Sequence, residues 1–101
     1  MSSQRRLKIL PEAIADLVRL REFIHVHNPA AASRAALRIR EAIHEIPHQP
    51  LLGRPIAGIE NPELRERFIP FGQAGYWVEY LVKTEEIHIV KIWHSRENRN
   101  P

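Results

Sequence analysis

The chain contains no cysteine, so disulfides and thiolate metal sites are excluded. It has no apolar run near the ~18 residues that a membrane span needs. Arg5, Arg6 and Lys8 near the N-terminus are not followed by a long apolar stretch, so a secretory signal is not expected and a cytoplasmic protein is. Glycine is scarce, with only four residues, and there is no low-complexity tract, internal repeat or linker. What is present is ordinary for a globular protein. The hydrophobic fraction is 44% and the charged fraction 27%, which argues against disorder over most of the chain. A length of 101 residues points to a single domain spanning 1–101 with one core. The net charge of +3 is a modest excess that favours acidic or polyanionic partners without choosing among them.

Apolar periodicity divides the chain into elements. Leu7 and Ile9 alternate within a short strand over 5–10. Pro11 suits the first position of a helix, and Glu12 and Asp16 favour its positive end. Ile14, Leu17, Leu20, Phe23 and Ile24 then follow helical spacing to about His27. Asn28-Pro29 reads as an N-cap followed by a first-turn proline. The second helix runs to about Ile46, with Ala32, Ala36, Ile39, Ile43 and Ile46 in one stripe. Pro47, Pro50, Gly53, Pro55, Gly58 and Pro62 mark a long connecting loop, a length that suggests function. Three strand-like runs follow, over 64–71, 76–83 and 86–94, joined by hairpins. The order β-α-α-β-β-β predicts an α+β fold, a helical hairpin packed on one face of a mostly antiparallel four-stranded sheet.

Both faces of the last two strands are apolar. Tyr76, Val78, Tyr80 and Val82 face one way, and Trp77 and Leu81 the other. By the same alternation Ile87 and Ile89 oppose Val90 and Ile92. Two helices cover only one face, so Trp77, Leu81, Val90 and Ile92 are the expected partner-binding surface.

The ordered set of motifs resembles the RelE/ParE superfamily of toxins from bacterial type II toxin–antitoxin systems, the plasmid-stabilisation type. It comprises Pro11, Ala13, Asp16 and Leu17, then Asn28-Pro29 with Ala31-Ala32, Gly53-Arg54-Pro55 and Leu64-Arg65-Glu66. Phe71-Gly72, Gly75-Tyr76, Tyr80 and His94-Ser95-Arg96-Glu97 complete it. The resemblance implies the same element order and a small cognate antitoxin as partner. It also implies one of two activities. RelE-like members cut messenger RNA on the ribosome, whereas ParE-like members bind DNA gyrase and catalyse nothing. The Asn-Pro-Ala start of the second helix is closer to the ParE side, so a gyrase inhibitor is the leading expectation. A ribosome-dependent mRNA endonuclease is the alternative, and an inactive antitoxin-binding domain a third.

Cleavage of RNA through its 2′-hydroxyl requires a base, an acid and positive charge on the phosphorane. His94 is the candidate acid or base by residue type, and Glu66 a candidate base. Arg65 and Arg96, with Arg67 and Lys91, are the candidate phosphate holders. If the protein is a nuclease, Arg65, Glu66, His94 and Arg96 are therefore its expected catalytic set, with Arg65, His94 and Arg96 near one another at the end of the sheet. No tyrosine follows Tyr80, a departure from the nuclease pattern. Arg34, Arg38 and Arg40 on the second helix are further candidate target contacts. His44 and His48 have a metal-pair spacing that Pro47 interrupts, and no carboxylate completes a set, so neither metal nor cofactor is expected. Gly72 to Gly75 lacks the helix and lysine of a phosphate loop and reads as a hairpin turn.

Overall fold

A computed structural model describes residues 5–97. Its elements are β1 (Arg6–Ile9), α1 (Pro11–His27), α2 (Pro29–Glu45), β2 (Arg54–Pro55), β3 (Leu64–Phe71), β4 (Ala74–Val82) and β5 (Glu86–His94). The α+β class and the element order are as the sequence predicts, with one correction. The sheet has five strands, ordered β1-β5-β4-β3-β2, because Arg54 and Pro55 pair with Glu66 and Arg65 from inside the long loop. A two-residue strand is too short to show a period of two. The β1–β5 pair is parallel and the other pairs are antiparallel. No helix among the described residues is long and apolar enough to cross a membrane.

Asn28 joins the two helices by itself. Its backbone N–H donates to Ile24 O and ends α1, while its side-chain oxygen accepts from Ala31 N at 3.1 Å and starts α2. Pro11 and Pro29 occupy first-turn positions, where their missing N–H has no helical partner to lose. With a one-residue joint, the helices lie side by side on one sheet face. Their buried residues are Ala13 and Leu20 from α1 and Ala32, Ala35, Ile39, Ala42 and Ile43 from α2. Against them the sheet presents Ile69, Tyr76, Val78, Tyr80, Ile87, Ile89 and Ile92. Two residues of the expected α1 stripe, Ile14 and Phe23, are exposed instead. α1 carries apolar side chains around most of its circumference, so spacing alone does not choose the buried side.

The strand alternation also breaks once. Glu79 pairs with Lys91 but Tyr80 pairs with Ile89, leaving Val90 as an extra residue in β5. Such a bulge shifts the following side chains to the opposite face. Ile92 therefore turns inward beside Ile87 and Ile89 and is 0% exposed. It belongs to the core and not to the partner-binding surface.

The hydroxyl of Tyr80 fastens the long loop to the core at two points. Tyr80 Oη donates to Pro50 O and accepts from Gly53 N, both at 2.8 Å. Burial pushes the phenol up from its ordinary value, so it stays protonated and able to donate. Replacing Tyr80 by Phe keeps the ring but strands the Gly53 N–H and the Pro50 carbonyl. We expect a loss of about 1–3 kcal/mol in denaturant unfolding, with unchanged secondary structure by circular dichroism. An unchanged midpoint would show that the hydroxyl does not hold the loop.

Candidate functional site

The expected catalytic residues lie in two places. Register puts Arg65 opposite Tyr80 and His94 opposite Tyr76. Four positions of β4 and two strand spacings separate them, which is about 16 Å. Arg96 lies beyond His94, in the turn that follows β5. Arg65, His94 and Arg96 thus do not gather at one end of the sheet, because β3 and β5 run in the same direction and Arg65 stands near the start of β3 while His94 ends β5.

Around Arg65 the charged groups bind the protein itself. Arg65 Nη1 donates to Gly53 O at 2.7 Å and so helps hold the loop. Arg67 Nη1 donates to Ala42 O at 2.8 Å, and its Nη2 reaches Glu45 Oε2 at 3.1 Å, tying the end of α2 to β3. Glu66 is only 4% exposed and pairs with Arg54 across 3.2 Å. Lys91 stands opposite Glu79 and 4.0 Å from Glu12.

At the far end, the His94–Glu97 turn is a closed network. Glu97 Oε1 accepts from His94 N at 2.8 Å, and Glu97 Oε2 pairs with Arg19 Nη1 at 2.7 Å. Arg19 Nη2 also donates to Ile92 O at 3.3 Å and approaches Asp16 at 3.4 Å. The other Asp16 oxygen accepts from Ile92 N at 2.9 Å. Two α1 side chains thereby satisfy the backbone of β5 where β1 has already ended, and blunt an edge that would otherwise invite strand pairing. The hydrogen bond that Arg19 donates to Glu97 raises the Arg19 pKa, with burial opposing it. His94 Nδ1 accepts from Arg96 N at 3.1 Å, which leaves the proton of the neutral ring on Nε2. The ring stands edge-on to Tyr76 at 5.2 Å between centroids. Burial, then the Glu97 charge, push the Tyr76 hydroxyl up.

Of the remaining expected partner-binding residues, Trp77, Leu81 and Val90 are half-buried and lie away from the helices. Sequence reasoning missed two neighbours of Trp77. Phe68, 39% exposed, packs its ring 5.0 Å from it, and the Arg54 guanidinium sits 4.9 Å from the indole centroid. Alternation within β3 could have found Phe68, which pairs directly with Trp77. Sequence reasoning also missed an apolar groove of about 400 Å³ between the helices, floored by Leu20, Ala35 and Ile39 and flanked by Arg21, Arg40 and His44. Among the described residues, no group of three histidines or carboxylates could hold a metal ion.

Comparison with known proteins agrees with the motif order. Residues 7–99 match the family model described as the ParE toxin of the type II toxin–antitoxin system parDE. The chain is 32% identical over 84 residues to Toxin RelE1 of Caulobacter vibrioides, covering 83% of this chain and 86% of the relative. It is 30% identical over 95 residues to Toxin RelE3 of the same organism, covering 94% and 99% respectively. Among solved structures, it superposes with a TM-score of 0.74 on a chain of the chromosomal ParDE toxin–antitoxin system of P. aeruginosa. That pair is 26% identical, with 94% of this chain and 100% of the other covered.

Proposed function

Because the chain belongs to the ParE toxin family of type II toxin–antitoxin systems, we propose that it arrests growth by binding DNA gyrase, and that a cognate antitoxin neutralises it. The observation that carries the gyrase reading is the use made of its charged side chains. Arg65, Glu66 and Arg67 are engaged in holding the loop and α2. His94 lies about 16 Å from Arg65, with its Nδ1 already accepting from the backbone. A nuclease needs an acid, a base and phosphate-binding charge converging on one phosphorus. Inhibition by binding needs only a rigid surface. A gyrase target implies action in the cytoplasm.

The antitoxin reading draws on the likeness to the ParDE system. A flexible antitoxin segment suits concave or flat apolar surface, as in the helix groove and in the face that carries Trp77, Leu81 and Val90.

Inducing the protein without antitoxin, while DNA damage signalling and translation are followed separately, tests the target. The expected outcome is an early DNA-damage response with continuing protein synthesis, and inhibition of gyrase supercoiling by the purified protein. Immediate translational arrest with codon-positioned mRNA cuts would establish the endonuclease instead. No effect on growth would leave an inactive antitoxin-binding domain. His94→Ala and Arg65→Ala sharpen the distinction. Under the gyrase reading both variants arrest growth within a few-fold of wild type at matched expression. A catalytic acid or base lost from a nuclease would cost about 10²–10⁴-fold in cleavage.

A further inference from the structure

Leu51 and Leu52 stand out against the polar composition expected of a loop, for they are 68% and 49% exposed. They are also held firmly. The hydroxyl of Tyr80 bonds Pro50 O on one side of the pair and Gly53 N on the other. Arg65 fixes the Gly53 carbonyl, and Leu52 N donates to Gln49 O at 3.0 Å. Backbone groups before, within and after the pair are therefore tied, three of those ties reaching the sheet. The leucines form a rigid apolar knuckle beside Arg54, whose side chain is 67% exposed although it pairs with Glu66.

We propose that this knuckle is the point at which the toxin docks on its target, the two leucines entering an apolar cleft of a folded protein whose rim carries acidic residues opposite Arg54. Three arguments lead there. An ordered segment has already lost its chain entropy in the free protein, so less is lost on binding. Apolar anchors that fill a pocket on the partner dominate interface energetics. A convex element needs a preformed cavity, which a folded target offers and a flexible antitoxin segment does not. The inference rests on the toxin reading above, but not on gyrase being the target.

The test is growth arrest after induction without antitoxin, at matched expression, for wild type, the Leu51→Ser/Leu52→Ser double variant and Val26→Ser. Val26 is a control, an exposed apolar residue on α1 outside the knuckle. Thermal melts of the purified proteins verify folding, which exposed substitutions leave intact. The expected result is that the double variant weakens target binding at least about thirtyfold and no longer arrests growth, while Val26→Ser arrests it as wild type does. Arrest by the double variant at the wild-type level overturns the inference. So does equal loss in Val26→Ser, since any exposed apolar residue would then serve. If wild type itself does not arrest growth, the toxin reading fails first and the docking inference fails with it. If wild type arrests growth without inhibiting gyrase, only the choice of target is wrong.

Discussion

Replacing Ile43 by Asp is expected to leave the protein unfolded or aggregated at 25 °C. Ile43 is 1% exposed and lies in the core cluster with Ile39, Ala42 and Ile46. The substitution removes a buried aliphatic side chain and introduces a carboxylate. The first effect alone costs about 2–5 kcal/mol, by analogy with truncation of a buried isoleucine to alanine. Burying an unpaired charge costs several more, whether it stays ionised or takes up a proton. A domain of this length is stable by only about 5–15 kcal/mol, so little or none would remain. Circular dichroism and size-exclusion chromatography would read the outcome. Ile43→Val provides the conservative comparison, with an expected loss of about 0.5–1.5 kcal/mol and a cooperative transition retained. Should Ile43→Asp unfold cooperatively near the wild-type midpoint, the helix face assigned to the core is the wrong one.

That assignment was legible in the sequence, and the reason is physical. The α2 stripe repeats at three and four residues with charged residues opposite, so one burial direction is far better than any other. Asn28-Pro29 was equally legible, because capping is decided within a few residues. α1 was less so, for Ile14, Val18, Phe23 and Val26 are exposed apolar residues that mimic a buried stripe. The position of Ile92 depended on a bulge that no local pattern in β5 announces, and the two-residue β2 depended on its pairing with β3. The candidate site was the least legible part. His94-Ser95-Arg96-Glu97 contains the residue types of acid–base and phosphate chemistry. Yet Glu97 is engaged with Arg19, and Arg19 with Ile92, contacts that join distant parts of the chain. Likewise Arg65 has the right charge to hold phosphate, and only the folded loop shows that the Gly53 carbonyl takes it. Residue type reports what a side chain can do, while its folded neighbours decide what it is used for.

The second large effect is expected at Gly53. Its conformation does not demand glycine, but its surroundings do. A methyl group there would collide with the Tyr80 hydroxyl and lie 2.7 Å from the Glu66 carbonyl oxygen. Neither neighbour yields easily. The Tyr80 ring is fully buried, and Glu66 of β3 is flanked by its partners in β4 and β2. Gly53→Ala should therefore push the loop off the sheet and weaken the hydrogen bonds that hold Pro50 and Gly53. Overpacking of this kind costs about 1–3 kcal/mol, and the strained hydrogen bonds bring the total toward about 3 kcal/mol. The melting temperature should fall by about 10–20 °C. Combining Gly53→Ala with Tyr80→Phe separates the two collisions. Removing the hydroxyl removes one obstacle to the methyl and also the bonds that the methyl would disturb. The double variant should thus be less destabilised than the single losses added together, by more than the about 0.3–0.5 kcal/mol within which independent sites add. Additive losses would mean that the Glu66 carbonyl and the edge of the ring, which Phe keeps 2.8 Å from the methyl, exclude it without the hydroxyl, and that Tyr80 and Gly53 hold the loop independently.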